Sequence, residues 1–156
     1  MVLSRACEYG IQGLLFLVDR PPGRFVTVKE IARSAKVSAP FLSKVLGHLA
    51  VHGLLSTSKG PRGGVRLARP AEEIKVLDVI EAIDGLGFLK KCVMGLPRCS
   101  SESPCPLHGQ WGPLREGIGA MFSRQSIREL VDSNARDRIR SGAGKAAGGG
   151  RRRRKE

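Results

Sequence analysis

Three cysteines and a histidine lie close together in one segment of the chain. Cys92, Cys99, Cys105 and His108 have the spacing C-x6-C-x5-C-x2-H. Thiolates and imidazole are the side chains that bind zinc ions and iron–sulfur clusters. A structural zinc site needs four protein ligands, which these residues supply, whereas a cluster needs the three cysteines and a fourth ligand. The spacing predicts a metal centre here, and by itself it leaves zinc and iron–sulfur both open.

The fourth cysteine and the remaining motifs favour no further chemistry. Cys7 lies four residues from both Leu3 and Ile11 on the apolar stripe of a predicted helix, which favours a buried, inert thiol. We find no nucleophile elbow, Walker A loop or dinucleotide-binding glycine motif. The sequence therefore predicts that the protein is not an enzyme.

The charge of the chain favours a polyanionic partner. The formal net charge is +13, and residues 136–156 carry nine basic and two acidic residues, so +6 remains on the rest of the chain. A basic body is typical of proteins that bind nucleic acid. No run of 18 apolar residues predicts a membrane span, and the N-terminal residues do not resemble a secretory signal, so we expect a cytoplasmic protein without a membrane partner.

The elements that must position these residues follow in the order of a winged helix. Apolar periodicity predicts a helix over residues 3–19, a second helix capped by Thr27, and a third that begins after Ser38 and ends at Gly53. Two short helices joined by a tight turn make a helix-turn-helix. Two predicted strands, 54–57 and 65–68, then enclose a loop rich in Gly and Pro, which predicts a hairpin wing.

The second half of the chain returns to helical periodicity. Helices are predicted over residues 72–84 and 111–134, on either side of an irregular segment that holds the clustered cysteines. Three glycines weaken the last helix, so it needs a partner surface, for which a second subunit is the obvious source. We expect a winged-helix domain at 1–88, a cysteine-rich cluster-binding loop at 89–108, a dimerisation helix at 109–135 and a disordered basic tail at 136–156.

The helix-turn-helix and the wing supply candidate contacts to DNA. The second helix of such a unit lies in the major groove, where its outward residues meet base edges and phosphates. The candidates on this helix and at the wing tip are Ser38, Pro40, Ser43, Lys44, His48, Lys59 and Arg62. The serines suit base edges, and the basic residues suit phosphates, a guanine edge or the neighbouring minor groove.

These residues resemble one bacterial family. The wing sequence GPRGGVRLA, the helix LDVIEAIDG and the cysteine loop that closes in CPLHGQW are similar to those of the Rrf2 family of winged-helix regulators, above all its IscR-type and NsrR-type members. The resemblance covers about residues 1–134. The chain departs from the commonest loop by having six residues, not five, between its first two cysteines.

The resemblance implies a homodimer that binds a partly palindromic DNA operator. It also implies an iron–sulfur cluster, 2Fe–2S or 4Fe–4S, held by Cys92, Cys99 and Cys105. In some members the fourth ligand is a histidine just after the third cysteine, here His108. In others it is an acidic residue in the first helix of the partner subunit, the place that Glu8 matches.

The fold expected is mostly α, a winged helix-turn-helix with a two-stranded wing and a long C-terminal dimerisation helix. The function expected is a transcription regulator, a repressor, whose operator binding depends on an iron–sulfur cluster that responds to redox state, nitric oxide or iron–sulfur status. Two alternatives remain: a zinc-stabilised nucleic-acid-binding protein without sensing, and a cysteine-based redox protein or electron carrier.

Overall fold

The computed structural model describes residues 3–96 and 100–132, and the predicted tail at 136–156 lies outside this part of the chain. The described residues form a mostly helical fold with one antiparallel pair of strands, as predicted. The elements are α1 (Arg5–Val18), α2 (Val28–Ala35), α3 (Ala39–Val51), β1 (Leu55–Ser58), β2 (Gly64–Leu67), α4 (Val76–Ile83), α5 (His108–Arg124) and α6 (Ile127–Asp132), with a short 3-10 helix at Gly87–Leu89.

The helix α1 is the centre of the core and packs against α2, α3, α4 and α6. It begins where the Ser4 hydroxyl accepts a hydrogen bond from the backbone N–H of Cys7 at 3.1 Å, which satisfies one of the free donors of the first turn. Its apolar stripe is buried, including Cys7 and Leu14. A side chain at Gly10 would run into Ile83 of α4, so the helices approach closely at this point.

The helix-turn-helix forms as the sequence predicts. The Thr27 hydroxyl accepts a hydrogen bond from the N–H of Glu30 at 3.3 Å and caps α2. The turn between α2 and α3 passes through Lys36, whose φ of 54° is left-handed. Helical spacing places one apolar face of α3 inside the core. The buried residues of this face are Leu42, Val45, Leu46 and Leu49.

The wing is an antiparallel hairpin in which Leu55 pairs with Leu67 and Ser58 with Gly64. Each strand is displaced by one residue from its predicted position. A third extended segment, missed at the sequence level, pairs with β2 through reciprocal bonds between Val26 and Val65 of 2.9 and 2.8 Å. Gly64 has a φ of +146°, and a Cβ there would overlap the Val26 carbonyl, so this close approach requires glycine.

The helix α4 begins at Val76, four residues later than predicted. Residues 71–73 form a turn, and Lys75 then forms a bridge with Ser126 from the far end of the chain. The Val76 N–H donates to the Gln125 carbonyl at 2.9 Å. This long-range pairing satisfies the backbone groups of residues that local periodicity had assigned to a helix.

The C-terminal helical segment is two helices in place of the single helix predicted at 109–135. The chain is extended at Gln125, and Ser126 then caps α6. The Glu129 carboxylate accepts hydrogen bonds from the Ser126 N–H at 2.6 Å and hydroxyl at 2.8 Å, which lower the pKa of Glu129. Ile127 is fully buried, so α6 returns to the core beside α1, while α5 has no buried residue, packs against α4 and reaches the core through Phe122. Across the described residues, no helix is long and apolar enough to cross a membrane.

Candidate DNA interface and cysteine loop

The outward face of α3 carries the predicted DNA contacts. All of them are exposed: Ser38, Pro40, Ser43, Lys44 and His48. Lys44 and His48 are four residues apart, so they lie on one side of the helix, opposite the buried face. The exposed residues of this surface can donate and accept hydrogen bonds and carry positive charge, as a DNA-reading helix requires.

One aromatic residue on this face was missed at the sequence level. Phe41 is partly exposed and meets Tyr9 of α1 edge to face, with the ring centroids 5.9 Å apart. Its position directly after Pro40, in the first turn of α3, was the signal. An apolar side chain at the start of a recognition helix can contact a thymine methyl group.

The two histidines near the end of α3 differ in their surroundings. The His52 ring nitrogen Nδ1 lies 2.9 Å from the carbonyl oxygen of His48, which also accepts the His52 backbone N–H at 3.2 Å. The side chain of His48 is exposed and belongs to the outward face.

The wing tip presents the two predicted basic side chains to solvent. Lys59 and Arg62 are exposed, and the turn between them closes with a 3.0 Å bond from the Gly63 N–H to the Gly60 carbonyl. Gly60 has a φ of +100°, a conformation that favours glycine. The tip therefore offers positive charge on a short, fixed turn.

The cysteine loop is the segment 90–107, and two of its thiols are withdrawn from solvent. Cys92 is 6% exposed and Cys105 is 8% exposed, whereas the residues at 93–96 and 101–104 are exposed. Trp111 closes this loop, since its indole N–H donates to the Lys91 carbonyl at 3.1 Å. The residue before Cys92 is thereby fixed to the first turns of α5. Cys99 lies outside the described residues.

His108 is the first residue of α5 and is joined to the third cysteine by a turn. Its N–H donates to the Cys105 carbonyl at 2.9 Å, and its Nε2 lies 3.4 Å from the Ser101 hydroxyl. Cys105 and His108 are thus placed on the same short turn. Within residues 3–96 and 100–132, no three potential metal ligands are grouped together, but Cys99 is not among these residues.

Glu8 and Cys7, at the start of α1, differ in exposure as the sequence predicts. Glu8 is exposed in the first turn. Cys7 is completely buried, and burial, followed by the charges of Asp84 and Glu8, raises the pKa of its thiol to about 12. A thiol with this pKa stays protonated near neutral pH and is a poor metal ligand or nucleophile.

The helix α5 exposes a large apolar surface. None of its described residues is buried, and Leu114 and Met121 are 62% and 56% exposed. The cysteine loop, which precedes α5 in the chain, also exposes Met94, Leu96 and Leu107. We refer to these five residues as the α5 patch. Several large apolar side chains exposed in and beside one helix in sequence are typical of protein interfaces.

Comparison with known proteins assigns the chain to a family. The model of the Rrf2 family, described as an iron-dependent transcriptional regulator, matches residues 3–133. An HTH-type transcriptional regulator of Aquifex aeolicus (strain VF5) is 32% identical over 134 residues, which are 85% of this chain and 92% of that protein.

Solved structures show the same fold. CymR of B. subtilis, the global cysteine regulator, has a TM-score of 0.72 at 18% identity and covers 84% of this chain and 96% of its own. IscR of T. potens has a TM-score of 0.66 at 22% identity and covers 85% of this chain and 87% of its own. This protein belongs to the Rrf2 family of DNA-binding transcriptional regulators, a family of regulators and not of enzymes.

Proposed function

We propose that this protein is a homodimeric repressor whose operator binding is controlled by an iron–sulfur cluster held in the cysteine loop. The observation that carries the proposal is the burial of Cys92 and Cys105 within an otherwise exposed segment. Two thiols withdrawn from solvent in one short loop, with a third cysteine between them in sequence, fit the thiolate donor set of an iron–sulfur cluster or a zinc site. The family description, an iron-dependent regulator, supports iron as the metal.

The donor set of the loop fits such a cluster. Cys92, Cys99 and Cys105 would supply three thiolate ligands, and His108 supplies an imidazole three residues after the last thiol. Glu8 of the partner subunit is the alternative fourth ligand, since it is exposed at the start of α1. The same donors fit zinc, so metal content decides between the cluster and a zinc-stabilised regulator without sensing.

The α5 patch supports the homodimer. Leu114 and Met121 lie seven residues apart, two helical turns, and therefore on the same side of α5. A second copy of this helix would bury these side chains, at about 25 cal/mol for each Å² of apolar surface removed from water. The symmetric pairing would present two recognition helices to a partly palindromic operator.

The position of His108 supports a coupling between the loop and DNA. Because His108 begins α5 and Trp111 fixes the same helix to Lys91, a rearrangement of the cysteine loop would displace the start of the dimerisation helix. Loss, oxidation or nitrosylation of the cluster would cause such a rearrangement. The two recognition helices would then change their spacing, and the affinity for the operator would change with it.

The experiment is an anaerobic visible absorption spectrum of the purified protein with iron and zinc measured on the same sample. We expect a brown protein with iron absorption and little zinc. Cys105→Ala should lose the colour, whereas Cys7→Ala, which removes a buried core thiol, should keep it. Operator binding is then measured before and after cluster loss. A colourless protein with one zinc per chain after anaerobic reconstitution would refute the cluster, and unchanged operator affinity in Cys105→Ala would refute sensing.

A further inference from the structure

A cavity of about 460 Å³ lies on the winged-helix body, away from the cysteine loop. It is formed where the end of α1, the loop that follows α1, the base of the wing and α6 come together. Cavities of this volume bind small organic molecules. No part of the proposed cluster site or of the proposed DNA face lines it.

The lining is strongly basic. Its five arginines come from four separate elements of the fold: Arg20, Arg24, Arg66, Arg69 and Arg128. Glu72 is the one carboxylate in the described lining, and it pairs with Arg128 at 2.9 Å. Five guanidinium groups against one carboxylate give a positive potential inside a concave surface. We call this cavity the arginine pocket.

Two further arginines of the pocket have carboxylate partners outside the lining. Arg20 lies 3.6 Å from Glu30, and Arg69 lies 3.6 Å from Asp78. These pairs are long and partly exposed, and such pairs are weak, so an anion in the pocket can compete for the guanidinium groups. Arg24 and Arg66 have no carboxylate within 4 Å among the described residues.

Two guanidinium groups are held in place before any ligand arrives. Arg20 stacks on the Phe16 ring, 4.2 Å from its centroid, and Arg66 stacks on the Phe25 ring at 4.7 Å. The Nε of Arg20 is buried and has no hydrogen-bond acceptor among the described residues. A buried donor without an acceptor is costly, so the Arg20 side chain has a hydrogen-bonding capacity that the described residues leave unused.

The rest of the lining is apolar. It includes Leu17, Val18, Pro21, Leu67 and Pro70. Apolar walls beside several arginines suit a ligand with an anionic group and a carbon-rich body. The planar guanidinium fork binds phosphate in a bidentate manner. We propose that the arginine pocket binds a small organic phosphate.

The position of the pocket gives such a ligand a means to regulate DNA binding. The strand β2 runs from the wing tip at Gly64 to the pocket at Leu67, so the pocket lies at the end of the wing that is away from the tip. Arg128 belongs to α6, which follows the proposed dimerisation helix. A bound phosphate would connect Arg66 of the wing to Arg128 of α6 and restrict the wing base. The pocket would then be an effector site.

The test measures binding of phenyl phosphate by calorimetry on the full-length protein without DNA, with inorganic phosphate and phenol as comparison ligands. We expect saturable binding of phenyl phosphate, weaker binding of inorganic phosphate and none of phenol. Arg24→Gln combined with Arg66→Gln should weaken phenyl phosphate binding by about tenfold or more. Arg24→Gln alone should weaken phenyl phosphate binding less. Because Arg24 lies in an exposed loop, this single variant still tests the pocket if the double variant does not fold.

The matched control is Arg5→Gln, which removes the same charge at the opposite end of α1, about 20 Å away by helix length. It should leave phenyl phosphate binding unchanged. Hydrogen exchange adds a second readout, since bound ligand should slow exchange of the paired Val26 and Val65 amides, next in sequence to the pocket residue Arg66.

Three results would overturn the proposal. One is the absence of saturable phenyl phosphate binding, and another is equal binding by the double variant and the wild type. The third is loss of duplex DNA affinity in the double variant without phenyl phosphate binding by the wild type, which would assign the arginines to the DNA backbone. None of these results bears on the metal content of the cysteine loop, so this inference and the proposed cluster fail independently.

Discussion

Lys59→Gln is the sharpest test of the proposed DNA face. Lys59 is exposed at the wing tip, and the substitution removes one positive charge and keeps a side chain of similar length. If Lys44, Lys59 and Arg62 contact phosphates in both protomers, six contacts form per dimer. Each contact adds about 0.9 to the slope of log affinity against log salt, so the wild-type slope should be near −5. Loss of Lys59 from both protomers should make it shallower by about 2.

The assay is fluorescence anisotropy with a labelled operator duplex, selected from random sequence and titrated at several salt concentrations between about 50 and 200 mM. The loss of affinity should be nearly the same on the operator and on unrelated duplexes, because phosphate contacts carry no sequence information. Ser43→Ala provides the opposite case. It removes no charge, so its slope should match the wild type, while its preference for the operator over unrelated DNA should fall.

The control for Lys59→Gln is Arg5→Gln, which changes the net charge of the protein equally. Arg5 is exposed at the start of α1, outside the helix-turn-helix, the wing and the cysteine loop. Its slope should equal that of the wild type. A wild-type slope in Lys59→Gln would refute the wing contact. An equally shallower slope in both variants would mean that the affinity for DNA depends on the total charge of the protein and not on this surface.

Three further experiments test the core and the loop. Gly10→Ala places a methyl group against α4, whereas Gly47→Ala meets nothing within 4 Å. Both gain about 1 kcal/mol of helix propensity, but overpacking should leave Gly10→Ala about 1–3 kcal/mol less stable than Gly47→Ala in urea unfolding. Because burial raises the pKa of Cys7 to about 12, from a usual value of 9.0, the unfolded state loses its proton first. The free energy of unfolding should therefore fall as pH rises from 9 towards 12, and less so in Cys7→Ala. Trp111→Phe removes the bond to Lys91, so the cluster should be lost several-fold faster to a chelator; an unchanged rate would contradict closure of the loop by this bond.

The helix-turn-helix was predictable from sequence because its signals are local. Four apolar residues at helical spacing define the buried face of α3, and Pro40 and Gly53 mark its two ends. The wing was predictable because Gly and Pro are dense between the two predicted strands. A bridge such as Val26 to Val65 was not predictable in this way, since it pairs residues 39 positions apart and depends on how the hairpin folds back.

The C-terminal half shows where local patterns fail and where a signal was overlooked. Ile74 fits helical spacing, but it lies before the helix, and its carbonyl accepts a hydrogen bond from the Ile127 N–H at 2.9 Å. The break before α6 was readable, since Ser126 and Glu129 have the S-x-x-E spacing of a capping box. The ligand types of the cysteine loop were clear from sequence, whereas its closure by Trp111 depends on a contact across 20 residues.

The division between α5 and α6 strengthens the argument for coupling. A single uninterrupted helix could move as a separate arm, whereas here the chain returns to the core directly after α5. The Ser126 cap, the bridge to Lys75 and the buried side chain of Ile127 fix the end of α5 to the winged-helix body. Its start is fixed to the cysteine loop by Trp111. Because α5 is held at both ends, a change in the loop that altered α5 would act on the body that carries α3. In the proposed homodimer, pairing through α5 would then be enough to couple the loop to operator spacing.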